Sequence, residues 1–239
     1  MDTLAQRGSS QFATTQWTLV FAAGGENAAA KREALASLCH AYWRPIHDYI
    51  RRRGYGEEAA KDLTQEFFAR LLKHDWLAGL TREGSKFRGF LLVAVKRFLA
   101  VECGHRCAQK RGGGVTPLPI GAAETEHAAG GDTPEQAYDR RWALTVIDRA
   151  VDRLRAEAVA SGRTALFERL CRFLPSDPES GAYEIAAESL GITRATVAMT
   201  VYRLRLRLRE HIRAEVAETL CDSRQVEDEM RALVRALRG

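Results

Sequence analysis

The amino-acid sequence predicts an all-α protein made of two helical domains joined by a flexible linker. Three observations favour this fold class. Proline is scarce, at 6 of 239 residues, while alanine, leucine, glutamate and arginine, which favour helices, are abundant. Few segments alternate between apolar and polar residues with the period of two that strands require. One stretch rich in glycine and proline, residues 112–133, interrupts the helical pattern.

Composition and charge narrow the range of partners. The net charge of +5 favours a polyanionic partner, although charge alone is weak evidence for nucleic-acid binding. Five irregularly spaced cysteines do not suggest a disulfide framework. The first residues lack the apolar core of a signal peptide, and the most apolar run, residues 90–101, contains Lys96 and Arg97. We therefore expect a cytoplasmic protein without a membrane partner.

The linker divides the chain into an N-terminal domain over residues 12–111 and a C-terminal domain over residues 134–213. Residues 112–133 begin with three glycines, contain no lysine or arginine, and include three acids. Such a segment is typical of a flexible connection, and its negative charge should keep it away from DNA.

Thr133 and Pro134 supply an N-cap and a first-turn proline for the next helix. This helix is expected to run from Pro134 to about Val159 and to end at a break over residues 161–162.

Residues 214–239 form a C-terminal extension in which the charge pattern reverses. Acids predominate between residues 215 and 229, and residues 230–237 then have the pattern of a short amphipathic helix. We expect this helix to pack back on the body of the protein.

The segment 183–209 has the pattern of a helix-turn-helix. A short amphipathic helix over residues 183–190 ends at Gly191, which favours the left-handed conformation of a tight turn. Thr193 is a good N-cap for the second helix. The apolar residues of that helix share one face, which predicts the buried side: Val197, Val201, Leu204 and Leu208.

The remaining faces of the second helix are polar and basic, as expected for a helix that enters the major groove. Thr196, Thr200, Arg203 and Arg207 lie on one flank, and Arg194, Arg205 and Arg209 lie on the other. A solvated arginine-rich helix in an ordinary bundle is the competing interpretation. The agreement of cap, turn, apolar stripe and basic flanks favours DNA binding.

Two further segments of the N-terminal domain stand out. Residues 62–72 form a strongly amphipathic helix, for which periodicity alone favours an ordinary core helix with a solvated back. Residues 85–114 contain seven basic residues and one acid, with three phenylalanines among them. These rings could stack on unpaired bases, but core packing is the favoured interpretation for most of them.

The sequence resembles the extracytoplasmic-function type of sigma-70 family sigma factors. The resemblance rests on FATTQWTLV at 12–20, YGEEAAKDLTQEFF at 55–68, FRGFL at 87–91, and the helix-turn-helix. It implies that residues 12–111 correspond to sigma region 2 and residues 134–213 to sigma region 4. A protein of this kind binds core RNA polymerase, directs it to promoter DNA, helps to open the duplex and then dissociates, without a cofactor.

The resemblance also implies roles for particular residues. The polymerase-binding residues would be Asp62, Gln65, Glu66 and Arg70. The −10 element would be bound by Lys96, Arg97, Arg106, Gln109, Lys110 and Arg111. The −35 element would be bound by Arg194, Thr196, Thr200, Arg203 and Arg207. An anti-sigma factor is a further partner that this resemblance leaves open.

A cluster of two cysteines and a histidine in the N-terminal domain is a weaker candidate site. Cys103, His105 and Cys107 supply three candidate ligands, one fewer than a closed zinc site needs, and His105 would point away from the two thiols on a helix. No catalytic constellation and no small-molecule substrate site is predicted. The alternatives to a sigma factor are a stand-alone helix-turn-helix regulator and, less favoured, an enzyme that acts on nucleic acid.

Overall fold

The computed structural model describes residues 28–73, 86–111, 132–176, 179–220 and 222–238. Within these ranges it contains α-helices and short 3-10 turns but no strand, so the predicted all-α class is confirmed. Segment 12–20 and linker residues 112–131 lie outside the described residues. The helices are α1 (Ala28–Arg52), α2 (Glu57–Lys73), α3 (Phe87–Arg111), α4 (Pro134–Ala160), α5 (Thr164–Leu170), α6 (Ala182–Leu190), α7 (Arg194–Glu218) and α8 (Val226–Arg238).

Helix α4 begins and ends where the sequence predicts. The Thr133 hydroxyl accepts a hydrogen bond from the Gln136 backbone N–H at 3.1 Å, and the Gln136 side chain accepts one from the Thr133 N–H at 2.8 Å. This reciprocal capping box, followed by Pro134, fixes the start of the helix. The helix is 27 residues long, about 40 Å, and is therefore long enough to contact two separate cores.

The larger core lies among the N-terminal helices and extends beyond them. Aromatic and branched side chains of α1, α2 and α3 form its centre, with Phe67 and Phe87 fully buried. It also takes in the first half of α4, the end of α7, and α8. These later helices and the turn after α7 contribute Tyr138, Trp142, Ala143, Val146, Val216, Leu220, Val226 and Leu233.

Residues on both sides of the expected linker therefore share one core. The boundary expected between residues 213 and 214 falls inside α7, which continues to Glu218. No proline or glycine interrupts this stretch, and Val216 is fully buried, so burial of an apolar face extends the helix past Arg209.

A smaller core lies between α5, α6 and the first half of α7. Leu170, Phe173, Ala186, Val197 and Val201 are its principal buried side chains. A third cluster joins it to α4, where Leu154, Ala158 and Phe167 pack against Leu204 and Leu208. The same helix, α4, thus contacts the large core near its start and the helix-turn-helix near its end.

Helix α8 packs back on the body, as the sequence predicts. Its Glu229 side chain is only 1% exposed. Lys86 Nζ and Arg88 Nε each donate a hydrogen bond to this carboxylate at 2.7 Å. Burial alone would raise the pKa of Glu229, but these two cations lower it below its ordinary value. The carboxylate is therefore held ionised inside the structure.

Arg88 connects three helices. Besides Glu229 of α8, its guanidinium contacts the Asp139 carboxylate of α4 and lies over the Trp142 ring, 4.5 Å from the ring centroid. Its backbone carbonyl accepts a hydrogen bond from the Tyr138 hydroxyl at 3.0 Å. The start of α3 is therefore fixed to α4 and α8 by one side chain and its own backbone.

We predict that Glu229→Gln destabilises the protein by about 3 kcal/mol, because it leaves Arg88 without its main counter-charge in a mostly buried site. Urea unfolding monitored by circular dichroism measures the change. Glu227→Gln is the matched control on the same helix. Its carboxylate pairs with Arg213 in an exposed ion pair, so a change of about 0.5 kcal/mol or less is expected.

The pH dependence gives a second readout of the same pair. Because folding lowers the pKa of Glu229 below its ordinary value of 4.5, its stabilisation is present above about pH 4.5 and is lost as the pH falls further. The stability gap between the wild type and Glu229→Gln should therefore narrow in acid. A gap that is constant from pH 7 to pH 3 would contradict this role.

Candidate nucleic-acid interface

The helix-turn-helix forms with the turn chemistry that the sequence predicts. Gly191 has φ 64° and ψ 30°, a left-handed conformation that favours glycine, and its N–H bonds to carbonyls of α6. The Thr193 hydroxyl accepts a hydrogen bond from the Thr196 N–H at 3.1 Å, which caps α7. Val197 and Val201 are buried, and Leu204 and Leu208 are partly buried, so the predicted apolar stripe is confirmed.

The first polar flank of α7 is accessible at its N-terminal end. Thr196 is exposed and shares a hydrogen bond with the Thr193 hydroxyl at 2.8 Å. The Thr200 hydroxyl donates to the Thr196 carbonyl at 2.7 Å and keeps its acceptor lone pairs. Arg203 is exposed and forms no ion pair with any described residue, so its guanidinium is available to a phosphate or a base edge.

Arg207, on the same flank, is already engaged with α4. Its Nε and Nη2 atoms donate to the two carboxylate oxygens of Glu157 at 2.9 and 2.5 Å, and Nη1 donates to Glu210 at 2.6 Å. The hydrogen bond from Arg207, with a further contribution from His211, lowers the pKa of Glu157 to about 2. In this structure Arg207 therefore links α7 to α4.

The arginines of the opposite flank differ from one another. Arg205 donates from Nε and Nη2 to the Phe173 carbonyl at 3.1 and 2.8 Å, which ties α7 to the turn after α5. Arg194 is exposed, and its Nε lies 2.7 Å from a Glu184 carboxylate oxygen on α6. Arg209 is exposed and has no ion pair among the described residues. Arg194 and Arg209 are therefore the cations that this flank presents.

One feature of α7 was not predicted from the sequence. Met199, Tyr202 and Leu206 are 51%, 58% and 45% exposed, although each is a large apolar or aromatic side chain. They follow a helical spacing of three and four residues, which was the available signal. The valine and leucine residues of the buried face form the stronger apolar pattern, and arginines separate the exposed residues from one another. The sequence pattern therefore indicated only the buried face.

The basic segment of α3 presents two of its predicted cations to solvent. Lys96 and Arg97 are exposed, and Lys96 Nζ lies 2.7 Å from a Glu135 oxygen in the first turn of α4. Phe87 and Phe98 are buried and Phe90 is partly buried, which confirms core packing for these rings. Helix α3 extends to Arg111, but the side chains of Arg106, Gln109, Lys110 and Arg111 lie outside the described part of the chain.

On α2, Leu63, Phe67 and Leu71 are buried, while Asp62, Gln65 and Glu66 are exposed. The fourth predicted polymerase-binding residue, Arg70, is turned towards α3. Its Nη2 atom donates to Glu66 at 2.5 Å and to Glu102 of α3 at 2.6 Å, and its guanidinium lies 5.1 Å from the Phe98 ring centroid. Of the four predicted polymerase-binding residues, Asp62, Gln65 and Glu66 are therefore the exposed ones.

The cysteines and histidine that the sequence singles out in α3 are only partly described. Cys103 is exposed, whereas the side chains of His105 and Cys107 lie outside the described residues. No group of three or more potential metal ligands occurs among the side chains that are described. In the same part of the chain, no helix combines the length and hydropathy needed to cross a bilayer.

Comparison with known proteins adds no assignment. A scan against family models, a search of curated proteins and a search of solved structures each find no match to this chain.

The Arg194–Glu184 pair generates a prediction. If α7 binds duplex DNA, Glu184→Gln should tighten that binding by about threefold, because an exposed ion pair of ~0.5–1 kcal/mol no longer restrains Arg194. Fluorescence anisotropy with a labelled duplex measures the change. Glu188→Gln removes the same charge from α6 without touching Arg194 and serves as the control. Equal tightening in both variants would show that general charge, and not release of Arg194, is responsible.

Proposed function

We propose that this protein is a sigma factor of the extracytoplasmic-function type, which binds core RNA polymerase and directs it to promoter DNA. The observation that supports this proposal most strongly is the helix-turn-helix, where a left-handed glycine turn, a threonine cap and a buried stripe present an outer face with exposed Thr196 and Arg203. In this proposal α7 enters the major groove of the −35 element.

Two further surfaces support a role at the polymerase and not only on duplex DNA. The exposed face of α2 offers Asp62, Gln65 and Glu66 to a protein partner, as the resemblance to sigma region 2 implies. Helix α3 supplies a second basic surface, with Lys96 and Arg97 exposed, for the −10 element. Both helices belong to the same core, so polymerase docking and −10 contact would be made by one rigid unit.

The mechanism follows from the chemistry of these surfaces. Cations of α7 and α3 neutralise phosphates and release counterions, so binding should weaken steeply with salt. Opening of the duplex draws on this binding free energy and on capture of unstacked bases, and it needs no cofactor. Such a protein would act in the cytoplasm, where core polymerase and promoter DNA are found.

A stand-alone helix-turn-helix regulator is the second candidate. The inclusion of α8 and the end of α7 in the large core favours it, because one closed body could bind duplex DNA without a polymerase. This candidate leaves the α2 face without a partner.

Co-migration of the purified full chain with core RNA polymerase, together with run-off transcription on a panel of promoters, separates the two candidates. The sigma proposal expects a stable complex and transcripts that depend on the added chain. Absence of co-migration, combined with shifts of short duplexes without polymerase, would contradict it and favour the regulator.

We further predict that the double variant Asp62→Lys, Glu66→Lys loses affinity for core polymerase by about tenfold or more, since like charges brought together at an interface cost more than ~1.4 kcal/mol. Size-exclusion chromatography or biolayer interferometry measures the complex. Duplex binding by α7 should be unchanged, because these residues lie on a different helix.

The control is Asp148→Lys, at an exposed α4 residue that has no ion pair among the described residues. Asp148→Lys changes the net charge by two units, whereas the double variant changes it by four. The single variant Asp62→Lys, which also changes the charge by two units, is therefore the one compared with Asp148→Lys. If Asp62→Lys and Asp148→Lys weaken the complex equally, the effect is one of net charge and the docking face is wrong.

A further inference from the structure

The outer face of α7 is apolar along its midline. At 100° per residue, Ala195, Met199, Tyr202 and Leu206 lie together on the side opposite the buried Val197 and Val201. Single exposed apolar residues are common on protein surfaces. A row of large apolar side chains along one helix face is different, because it contributes nothing to the core and exposes apolar surface to water.

Two polar borders run beside this apolar row. Thr196, Thr200 and Arg203 lie on one side, and Arg194 and Arg209 lie on the other. Arg203 and Arg209 are exposed and have no ion pair among the described residues. The outer face of α7 therefore has an apolar centre between two cationic edges.

Duplex DNA complements this arrangement. The major groove is about 12 Å wide and admits one α-helix, with a phosphate backbone on either side of the helix. Its floor is formed by polar base edges except at thymine, whose C5-methyl group is the apolar feature there. Two cationic borders would meet the two phosphate backbones, and the apolar row would meet the floor.

A protein partner fits this face less well. Exposed methionine and tyrosine also occur at protein interfaces, but such a partner would have to neutralise arginines on both sides of the row. The two phosphate strands of a duplex provide both neutralising edges without further assumption.

We infer that α7 recognises thymine in the major groove through van der Waals contact of Met199 and Tyr202 with C5-methyl groups. This inference rests on the duplex binding in the proposed function, and it adds the class of base that is read. Ala195 is small and permits close approach of the first turn to the bases. Leu206 lies further along the helix, where the groove curves away from a straight α-helix, and it does not contribute to the discrimination.

The test uses the full chain, alone and saturated with core RNA polymerase. Duplexes that bind are enriched from a random library, and each thymine of the enriched site is replaced in turn by deoxyuridine, which lacks only the methyl group. We expect two positions, one for each of Met199 and Tyr202, at which this replacement weakens wild-type binding by about fourfold, the effect of leaving one methyl-sized group uncovered.

Variants assign the effect to residues. Met199→Ala and Tyr202→Ala should each abolish the thymine-to-uracil difference at one position, bringing the ratio of dissociation constants close to one. Leu206→Ala is the matched control on the same face and should keep the fourfold ratio. All three side chains are exposed, so none of these changes opens a cavity in the core.

The remaining outcomes overturn specific claims. If deoxyuridine can replace every thymine of the enriched duplex without loss of affinity, the inference is overturned and the proposed function stands. Failure to enrich any duplex, with or without polymerase, would overturn both. Self-association that disappears in Met199→Ala, without a thymine-to-uracil difference, would identify the row as a contact between protein copies.

Discussion

The buried carboxylate of Glu229 joins segments of the chain that are 141 residues apart, through its hydrogen bond with Arg88. A carboxylate that is 1% exposed would be strongly destabilising without such partners. Because Arg88 also contacts Asp139 and stacks on Trp142, this ion pair sets the position of α4 relative to α3 and α8. Helix α4 then extends to the helix-turn-helix, so the position of α7 depends on the same ion pair.

A second set of buried and partly buried ion pairs fixes α7 against α4. Glu215 of α7 is 4% exposed and pairs with Arg149 and Arg153 of α4, although burial raises its pKa above the ordinary value despite these cations. Near the middle of α7, Glu157 of α4 binds Arg207. Since α7 is one continuous helix, its first half, which we propose enters the major groove, is rigidly connected to a second half that belongs to the large core. The surface proposed to contact DNA is therefore fixed by the core and does not depend on a loop.

The sequence predicted features that depend on near neighbours. The Thr133 cap, the Gly191 turn and the burial of Val197 are governed by residues within four positions, so their patterns are visible without a structure. The double role of α4 was not visible, because Trp142 faces one core and Leu154 another, and this choice depends on distant helices. The partner of Arg207 was not predicted, because Glu157 is 50 residues away in the sequence. The exposed row at Met199 was not predicted, because the same helix carries a stronger apolar stripe.

Hydrogen–deuterium exchange of the full chain, resolved by peptides, tests most directly whether the helices before and after residues 112–133 share one core. The shared core predicts that peptides from α8 are as strongly protected as peptides from α1 and α3, and that Glu229→Gln lowers the protection of all three together. Rapid exchange throughout α8, while α1 and α3 stay protected, would contradict it. That result would mean that the C-terminal extension is not part of the structure that positions the proposed DNA-binding helix.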